Sequence, residues 1–469
     1  MARKGSSGIR VAVRTKAMDA VSVLSIYMLL LYAIPSDRRI GALGSAGSLA
    51  TLFALGLALW WCWFHIQRNH PAQSKSVQPV RIAKLIFLGS ATASYVAASL
   101  RPLPPLEAST VDTSLLRLVA WAGVLFVAND GIADMERLVA LLRRLALAGA
   151  LLAVLGILQF ITKLSLVDYI QIPGLISTQS FSAIGDRGGF TRSAATAQSP
   201  LEYAAVLAMI FPISLALALT DKGRSALLRW APVAIMAPAI MLSISRSAFL
   251  AVAIGMLALF PSLPRKVKIR SCAAAVALVG VMYLAVPGML GTILNLFQGI
   301  SEDSSTTSRT DSYGLVGEFV ARSPWFGRGF GTFLPQYRIL DNQYLGILIE
   351  LGFVGLAAFG AVLVTSIVVC IRGRRTVTAP QSRLVGSALA ASLLSGTVTA
   401  GFFDVFSFPM SAGTLFLVMG IAGAYWRISI EAPIQIQSST TEAARLPLYI
   451  RNRRRTGLRW RRKVHRLKE

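Results

Sequence analysis

Four arginines lie in polar stretches between long apolar segments: Arg192 in GFTRSAA, Arg246 in SISRS, Arg309 in TTSRTDS and Arg328 in FGRGF. A guanidinium group is planar and forks onto two oxygens of one phosphate or carboxylate. Any one of these arginines alone is more often a solvated loop charge, and Arg246 could be an interfacial side chain that snorkels towards water. If the four lie on one side of the fold, they predict an anion site.

A second polar group opens the apolar segment RILDNQYLGILIELGFVGL, residues 338–356. Asp341 could be the N-cap of a helix that begins near Asn342, because Asp is among the preferred capping residues. Glu350 follows further along the same segment, about 13 Å deeper on a helix and on nearly the opposite side from Asp341. The spacing therefore argues against an acid and base pair on one helix face. We expect Glu350 to have a structural role against another helix.

The elements that must position these residues are membrane-spanning helices. The chain has 469 residues, of which 54% are hydrophobic and 14% charged, and its mean hydropathy is +0.61. Soluble domains carry about 25% charged residues, and apolar runs of roughly 17–25 residues suffice to cross a bilayer. The fold class predicted is all-α, a polytopic integral membrane protein with about twelve spans. The predicted spans are 17–35, 44–66, 82–100, 113–128, 138–162, 202–219, 229–243, 247–261, 272–287, 343–371, 384–403 and 410–426.

The placement of positive charge predicts the orientation. About three quarters of the 47 Lys and Arg residues lie on the side of the two termini, which predicts that both termini are cytoplasmic. The chain then divides into a basic N-terminus (1–16), a transmembrane domain (17–426) and a basic tail (427–469). The net charge of +26 could suggest nucleic acid, but a basic tail that leaves a membrane helix lies beside anionic lipid. We therefore expect membrane-surface anchoring and no nucleic-acid partner.

Two predicted outer loops, 163–201 and 288–342, are far longer than ordinary helix connections. The second contains SSTTSRTDSYGLVGEFVARSP, whose apolar stripe predicts a short amphipathic helix. The stretch PWFGRGFGTF follows, where alternating glycines such as Gly327 let the backbone turn tightly and approach a ligand or helix. The three Cys and three His residues show neither a disulfide framework nor metal-ligand spacing. We expect no metal and no cofactor, and we expect the chemistry on the outer face.

Four stretches in fixed order carry a family resemblance: GFTRSAATAQSPLEYAAVLAMIFPI, LSISRSAFLAV, SRTDSYGLVGEFVARSPWFGRGFGTF and DNQYLGILIELGFVGL. Their order and spacing over residues 190–360 resemble the O-antigen ligase and polymerase superfamily. The resemblance implies a membrane glycosyltransferase of the polyprenyl-phosphate-dependent fold type that acts without a metal ion. Such enzymes take a glycan from an undecaprenyl-diphosphate carrier at the outer face of the bacterial inner membrane. The acceptor is a lipid A core sugar or another carrier-linked chain.

The resemblance also implies roles for particular residues. Arg246 and Arg309 match the family arginines that are expected to hold the diphosphate. Family members commonly place His before Asn at the start of the helix after the long loop, whereas this chain has Asp341. Either Asp341 takes the role of that His, orienting or deprotonating the acceptor hydroxyl, or the reaction relies on leaving-group stabilisation by the arginines.

Five further residues are candidates for substrate binding. Asn342 and Tyr344 could hydrogen-bond sugar, although Tyr344 could equally belong to the aromatic belt at the membrane interface. Arg192 and Arg328 could contact the anion. Glu318 could contact substrate or be an exposed residue of the loop helix.

The main alternative is a transporter or flippase for polysaccharide or lipid-linked glycan. A transporter would be expected to carry ionisable residues through its spans and to open to both faces. The candidate polar groups instead cluster in predicted outer segments. A noncatalytic scaffold fits the long polar loop less well.

Overall fold

The computed structural model describes residues 19–67, 77–177, 184–187, 189–298 and 304–445. The predicted basic N-terminus (1–16) and the densest basic run of the tail (451–469) therefore lie outside the described residues. The predicted tail begins at residue 427, but the last helix continues through that point to Arg445.

Helices make up nearly all of the described chain. The α-helices are α1 (Ala20–Ala33), α2 (Leu49–Gln67), α3 (Pro79–Ser99), α4 (Pro105–Gly131), α5 (Met135–Thr162), α6 (Pro200–Thr220), α7 (Ala226–Leu242), α8 (Arg246–Leu259), α9 (Arg265–Ala285), α10 (Met289–Gln298), α11 (Ser304–Arg322), α12 (Gln343–Thr376), α13 (Pro380–Ala400) and α14 (Pro409–Arg445). The strands form two short antiparallel pairs: β1 (Arg38–Arg39) pairs with the distant β2 (Ile176–Ser177), and β3 (Ile184–Arg187) forms a hairpin with β4 (Phe190–Ser193).

The prediction of an all-α polytopic membrane protein is confirmed. Each predicted span overlaps one helix, and among the described residues nine helices are long and apolar enough to cross a membrane. The helices α1, α7 and α8 are apolar but shorter, so a count of twelve full crossings stays a prediction. The loop helix predicted within 288–342 is α11, and a second helix that was not predicted, α10, precedes it.

Local sequence explains where several helices start. Asp134 caps α5 by accepting a hydrogen bond from the Arg137 amide at 2.8 Å, and Ser199 caps α6 by accepting from the Glu202 amide at 3.2 Å. Proline occupies the first turn of α3, α4, α6 and α13, where its missing N–H is not needed.

Burial separates central helices from peripheral ones. In α6 and α14, 83% of the spanning segment is buried inside the protein, against 6% in α9. An apolar helix that is not covered by other parts of the protein faces lipid. Helix α9 therefore lies at the periphery of the bundle. The centre contains a group of aromatic rings from α4, α12, α14 and the turn before α14, with Trp121 and Phe416 stacked at 5.7 Å.

Helix α12 contains a break at Gly352, whose φ of 65° and ψ of −166° are not helical. The break releases backbone groups on both sides of it, and buried backbone groups must find other partners. The loop after α11 supplies them. After the break, the Phe353 and Val354 amides donate to the backbone oxygens of Pro324 and Trp325, respectively. Before the break, the backbone oxygens of Ile349 and Glu350 accept from the Arg328 and Gly329 amides, respectively. The four bonds measure 2.8–3.2 Å.

Close approach makes glycine necessary at this junction. A Cβ at Gly352 would lie 2.5 Å from the Pro324 oxygen, and a Cβ at Gly327 would overlap the Glu350 backbone. Gly327 also has a positive φ, 69°. The prediction that the glycines of PWFGRGFGTF allow the backbone to approach a helix is confirmed here, and the junction fixes the long loop against α12.

We expect Gly352→Ala to destabilise the protein by at least about 1–3 kcal/mol, the cost of holding a residue with a Cβ in a positive-φ conformation that is essentially open only to glycine, with the overlap adding to it. The measurement is the melting temperature of the purified protein in detergent. Gly360→Ala in the same helix is the matched control, because its Cβ would meet nothing within 4 Å. That control should keep or slightly raise the melting temperature. Equal melting temperatures for the two variants would contradict the junction described above.

Candidate active site

A cavity of about 490 Å³ lies beside the start of α12. Its wall comes from β1, the first half of α4, the residue Gln198, the loop between α11 and α12, and the turn between α13 and α14. Each of these elements is in, or adjoins, a connection that the charge pattern places on the outer side. The volume falls within the roughly 300–1,000 Å³ typical of small-ligand sites.

Asp341 is part of the cavity wall, two residues before α12 begins at Gln343. The N-cap of α12 is Asn342, whose side-chain oxygen accepts hydrogen bonds from the Tyr344 amide at 3.0 Å and the Leu345 amide at 3.3 Å. The alternative interpretation of Asp341 as the N-cap is therefore wrong. Asp341 stands one position before the cap and lines the cavity together with Asn342.

Glu350 also lines the cavity, on the same face of α12 as Gln343 and Gly346. Its carboxylate accepts a hydrogen bond from the Phe333 amide at 3.1 Å. This contact is structural, as predicted, but it is made to the loop between α11 and α12, whereas the prediction placed Glu350 against another helix. Asp341 and Glu350 line the same cavity, although the helical period placed them on nearly opposite sides of one helix. Asp341 precedes the helix, so the helical angle of about 100° per residue does not apply to it.

Sequence reasoning missed three cavity arginines, Arg39, Arg117 and Arg338. Arg39 is held in β1 by pairing with Ile176 of β2, and Arg117 lies in α4 with an Nη2 to Ser114 Oγ distance of 3.3 Å. Burial lowers the pKa of Arg39, an effect that the negative charges of Asp37 and Glu202 oppose. A signal for Arg117 was present, because an arginine inside an apolar span is costly and usually functional.

Asp404, also missed, lines the cavity from the turn between α13 and α14. Ser407 Oγ donates to its carboxylate at 2.5 Å. Burial raises the pKa of Asp404 above its ordinary value, and the Ser407 hydrogen bond and the positive charge of Arg117 oppose the shift. A carboxyl group with a perturbed pKa in a cavity is a candidate functional group.

Arg192 and Arg246 both lie at the turn between α7 and α8, outside the cavity wall. Arg192 Nε donates to the Ser243 backbone oxygen at 2.9 Å, and Arg246 is the first residue of α8. Ile244, which lies between Ser243 and Arg246 in this turn, has a φ of 46°. This conformation is rare for a β-branched residue, and such strain clusters at functional sites. The predicted spans 229–243 and 247–261 leave a short connection at SISRS between two short helices, and the structure confirms this turn.

The remaining candidates lie elsewhere. Arg328 donates to Glu107 at 2.8 Å, and its guanidinium lies 5.2 Å from the Tyr337 ring centre. Tyr344 donates to the Thr397 backbone oxygen of α13 at 2.7 Å, and Glu318 is exposed on α11. The side chain of Arg309 is outside the described residues. No group of three or more His, Cys, Asp or Glu residues in the described part of the chain is positioned to hold a metal ion.

The fold and the cavity define a polytopic α-helical membrane protein with a charged site at one end of its helices. Residues 231–360, from α7 to the first half of α12, match the family model described as O-antigen ligase. The match confirms the resemblance to the O-antigen ligase and polymerase superfamily, and the matched segment contains Arg246, Arg309 and Asp341. Among curated proteins, none matches the chain. The domain indicates a membrane enzyme of ligase or polymerase type that works in surface polysaccharide assembly.

Proposed function

We propose that this protein transfers a glycan from an undecaprenyl-diphosphate carrier to an acceptor sugar at the outer face of the bacterial inner membrane. The observation that carries the proposal is the position of Asp341. Within a domain of the O-antigen ligase family, it stands in a charged cavity of small-ligand size whose walls come from predicted outer connections.

In the proposed reaction, the acceptor hydroxyl oxygen forms a bond to the anomeric carbon of the donor glycan. The bond from that carbon to the diphosphate oxygen breaks, and undecaprenyl diphosphate leaves with the electron pair. Asp341 orients the hydroxyl and takes its proton, because a carboxylate within hydrogen-bond reach is a suitable general base. The step needs neither an oxidant nor a co-reactant.

Arg246 and Arg309 are proposed to neutralise the charge that develops on the departing diphosphate, which is often the largest catalytic contribution. Arg192 supports the proposal for Arg246 because its guanidinium fixes the backbone of the same turn. Since six residue steps join Arg192 to Gln198 in the cavity wall, their Cα atoms are at most about 20 Å apart. The role of Arg309 rests on the family resemblance.

The tail is proposed to bind anionic lipid at the cytoplasmic surface. A cluster of Lys and Arg immediately after a spanning helix gains about 1 kcal/mol per residue from anionic lipid near the surface. The run RNRRRTGLRWRRKVHRLKE (451–469) has this composition and follows the last spanning segment, which ends at Glu431, and the run lies outside the described residues.

The reaction is tested with purified protein, an undecaprenyl-diphosphate-linked oligosaccharide and acceptor-bearing lipid. We expect release of free undecaprenyl diphosphate together with a larger glycan product, both followed by mass spectrometry. A transporter or flippase would move the lipid-linked donor across a vesicle membrane without releasing undecaprenyl diphosphate. Intact donor after prolonged incubation with protein and acceptor would overturn the proposal.

The orientation is tested with reporters that are active on only one side of the membrane. A reporter inserted at Ser304, in the long loop before α11, is expected to be active only outside the cytoplasm. A reporter fused after Glu469 is expected to be active only inside, because the basic segments lie on that side. Cytoplasmic activity at Ser304 would reverse the topology and remove the cavity from the outer face.

A further inference from the structure

The cavity beside α12 has a mixed lining of positive and negative side chains. The cations are Arg39, Arg117 and Arg338, and the carboxylates are Asp341, Glu350 and Asp404. Aromatic rings also line it, from Trp121, Phe330 and Phe406 among others. The combination offers anion binding, hydrogen-bond acceptors and apolar faces within one space.

Two of the cations, Arg39 and Arg117, have no carboxylate within 4 Å among the described residues. The Nε atom of each is buried without a hydrogen-bond partner. Other arginines of this protein are paired, such as Arg143, which contacts Asp221 through two nitrogens at 2.8 Å each. A buried charged donor without an acceptor is costly, and this cost disappears when a ligand supplies the acceptor. The two arginines therefore indicate a place for an anionic group.

The lining also limits the chemistry of the ligand. Three arginines and three carboxylates line the cavity, so a ligand with one negative charge and several hydrogen-bond donors matches this lining better than a diphosphate, which carries more than one negative charge. A saccharide suits the same lining because its hydroxyls donate hydrogen bonds to carboxylates and its apolar face packs on aromatic rings. A sugar with a single anionic substituent would satisfy the arginines and the carboxylates together.

We propose that Arg39 and Arg117 bind an anionic substituent, a carboxylate or a phosphate, of the acceptor saccharide and so hold the accepting hydroxyl at Asp341. This inference rests on the proposed glycan transfer and adds the acceptor's chemical class to it. The acceptor is an acidic sugar, and the cavity is its subsite. The donor diphosphate is placed at the turn that contains Arg246.

The first experiment measures binding and needs no catalysis. The full chain, purified in detergent, is titrated with glucuronate, glucose 6-phosphate, glucose and inorganic pyrophosphate, and its melting temperature is followed. We expect glucuronate or glucose 6-phosphate to raise the melting temperature, because ligands that bind only the folded state stabilise it. The stronger of the two identifies the substituent as a carboxylate or a phosphate. Glucose should have little effect.

The second experiment assigns the site. Arg39→Gln and Arg117→Gln should each weaken binding of the effective acidic sugar about 10–100-fold, the scale for losing a hydrogen bond to a charged group. The control is Lys163→Gln, which removes one positive charge from an exposed position in the predicted outer loop 163–201 and should bind normally. Arg39→Lys and Arg117→Lys should keep part of the affinity, because lysine keeps the positive charge but cannot donate two parallel hydrogen bonds to one anionic group.

A third measurement avoids variants that fold poorly. In the wild-type chain, the effective acidic sugar should protect Arg39 and Arg117 from modification by phenylglyoxal, detected by mass spectrometry of peptides. Glucose should not protect them. Protection by pyrophosphate that matches or exceeds protection by the acidic sugar would overturn the proposal and assign the arginines to the donor. Absence of protection by either acidic sugar would overturn it as well.

The outcomes separate this inference from the proposed function. If the acidic sugar binds through Arg39 and Arg117 but no undecaprenyl diphosphate is ever released, the proposed transfer reaction is contradicted and the anion site is supported. If transfer occurs but the two arginines affect neither sugar binding nor protection, the proposed acceptor subsite is contradicted and the proposed transfer reaction is supported.

Discussion

Asp341→Asn is expected to lower the rate of glycan transfer about 10²–10⁴-fold, the range for loss of a general base. The change removes the proton-accepting carboxylate and keeps a side chain of nearly the same size. Because Asn342 caps α12, the variant leaves the helix start intact and should keep the wild-type melting temperature. The rate is measured as release of undecaprenyl diphosphate with acceptor at saturating concentration.

Three companion variants sharpen the result for Asp341. Asp341→Ser should be slow as well, because serine is no comparable base. Asp341→His should retain activity, because histidine is the residue that family members commonly carry at this position. Asp168→Asn removes an exposed carboxylate elsewhere in the predicted outer loops and should transfer at the normal rate. Near-normal transfer by Asp341→Asn would leave the arginines to carry the reaction.

Arg246→Ala is expected to lower turnover about 10²-fold or more, the scale for losing one preorganised donor at a developing negative charge. The half-buried guanidinium at the first residue of α8 stands at a turn whose backbone is fixed by Arg192 and strained at Ile244. Arg246→Lys should recover only part of the rate, since an ammonium group cannot fork onto two oxygens. Arg309→Ala is expected to have an effect of the same size.

The measurement for Arg246 is the rate of undecaprenyl diphosphate release at saturating donor, which separates turnover from donor affinity. Lys163→Gln again serves as the control for loss of one outer positive charge. A normal rate in Arg246→Ala would show that the side chain only snorkels at the interface. In that event the cavity arginines, Arg39 and Arg117, become the candidates for holding the diphosphate.

The sequence by itself determined the helices and where many of them begin and end. Apolar runs of membrane-spanning length located twelve of the fourteen α-helices among the described residues, because burial in lipid requires a continuous apolar surface and internal backbone hydrogen bonds. Local signals also located the turn that contains Arg246, the helix α11 and the glycine-rich loop. These features depend on residues that are neighbours in the chain, so a pattern read along the sequence is enough to find them.

Only the tertiary structure decided which polar residues meet. Asp341 and Glu350 line one cavity because Asp341 stands before α12, where the helical period does not set the direction of a side chain, and because the loop between α11 and α12 packs against that helix. Arg39, Arg117 and Asp404 lie far apart in the sequence and line one space because β1, α4 and the turn before α14 pack at the same end of the helices. Helical periodicity gives the face on which a residue lies, but it does not give the element that packs against that face. The contents of the candidate site were therefore a property of packing between distant segments.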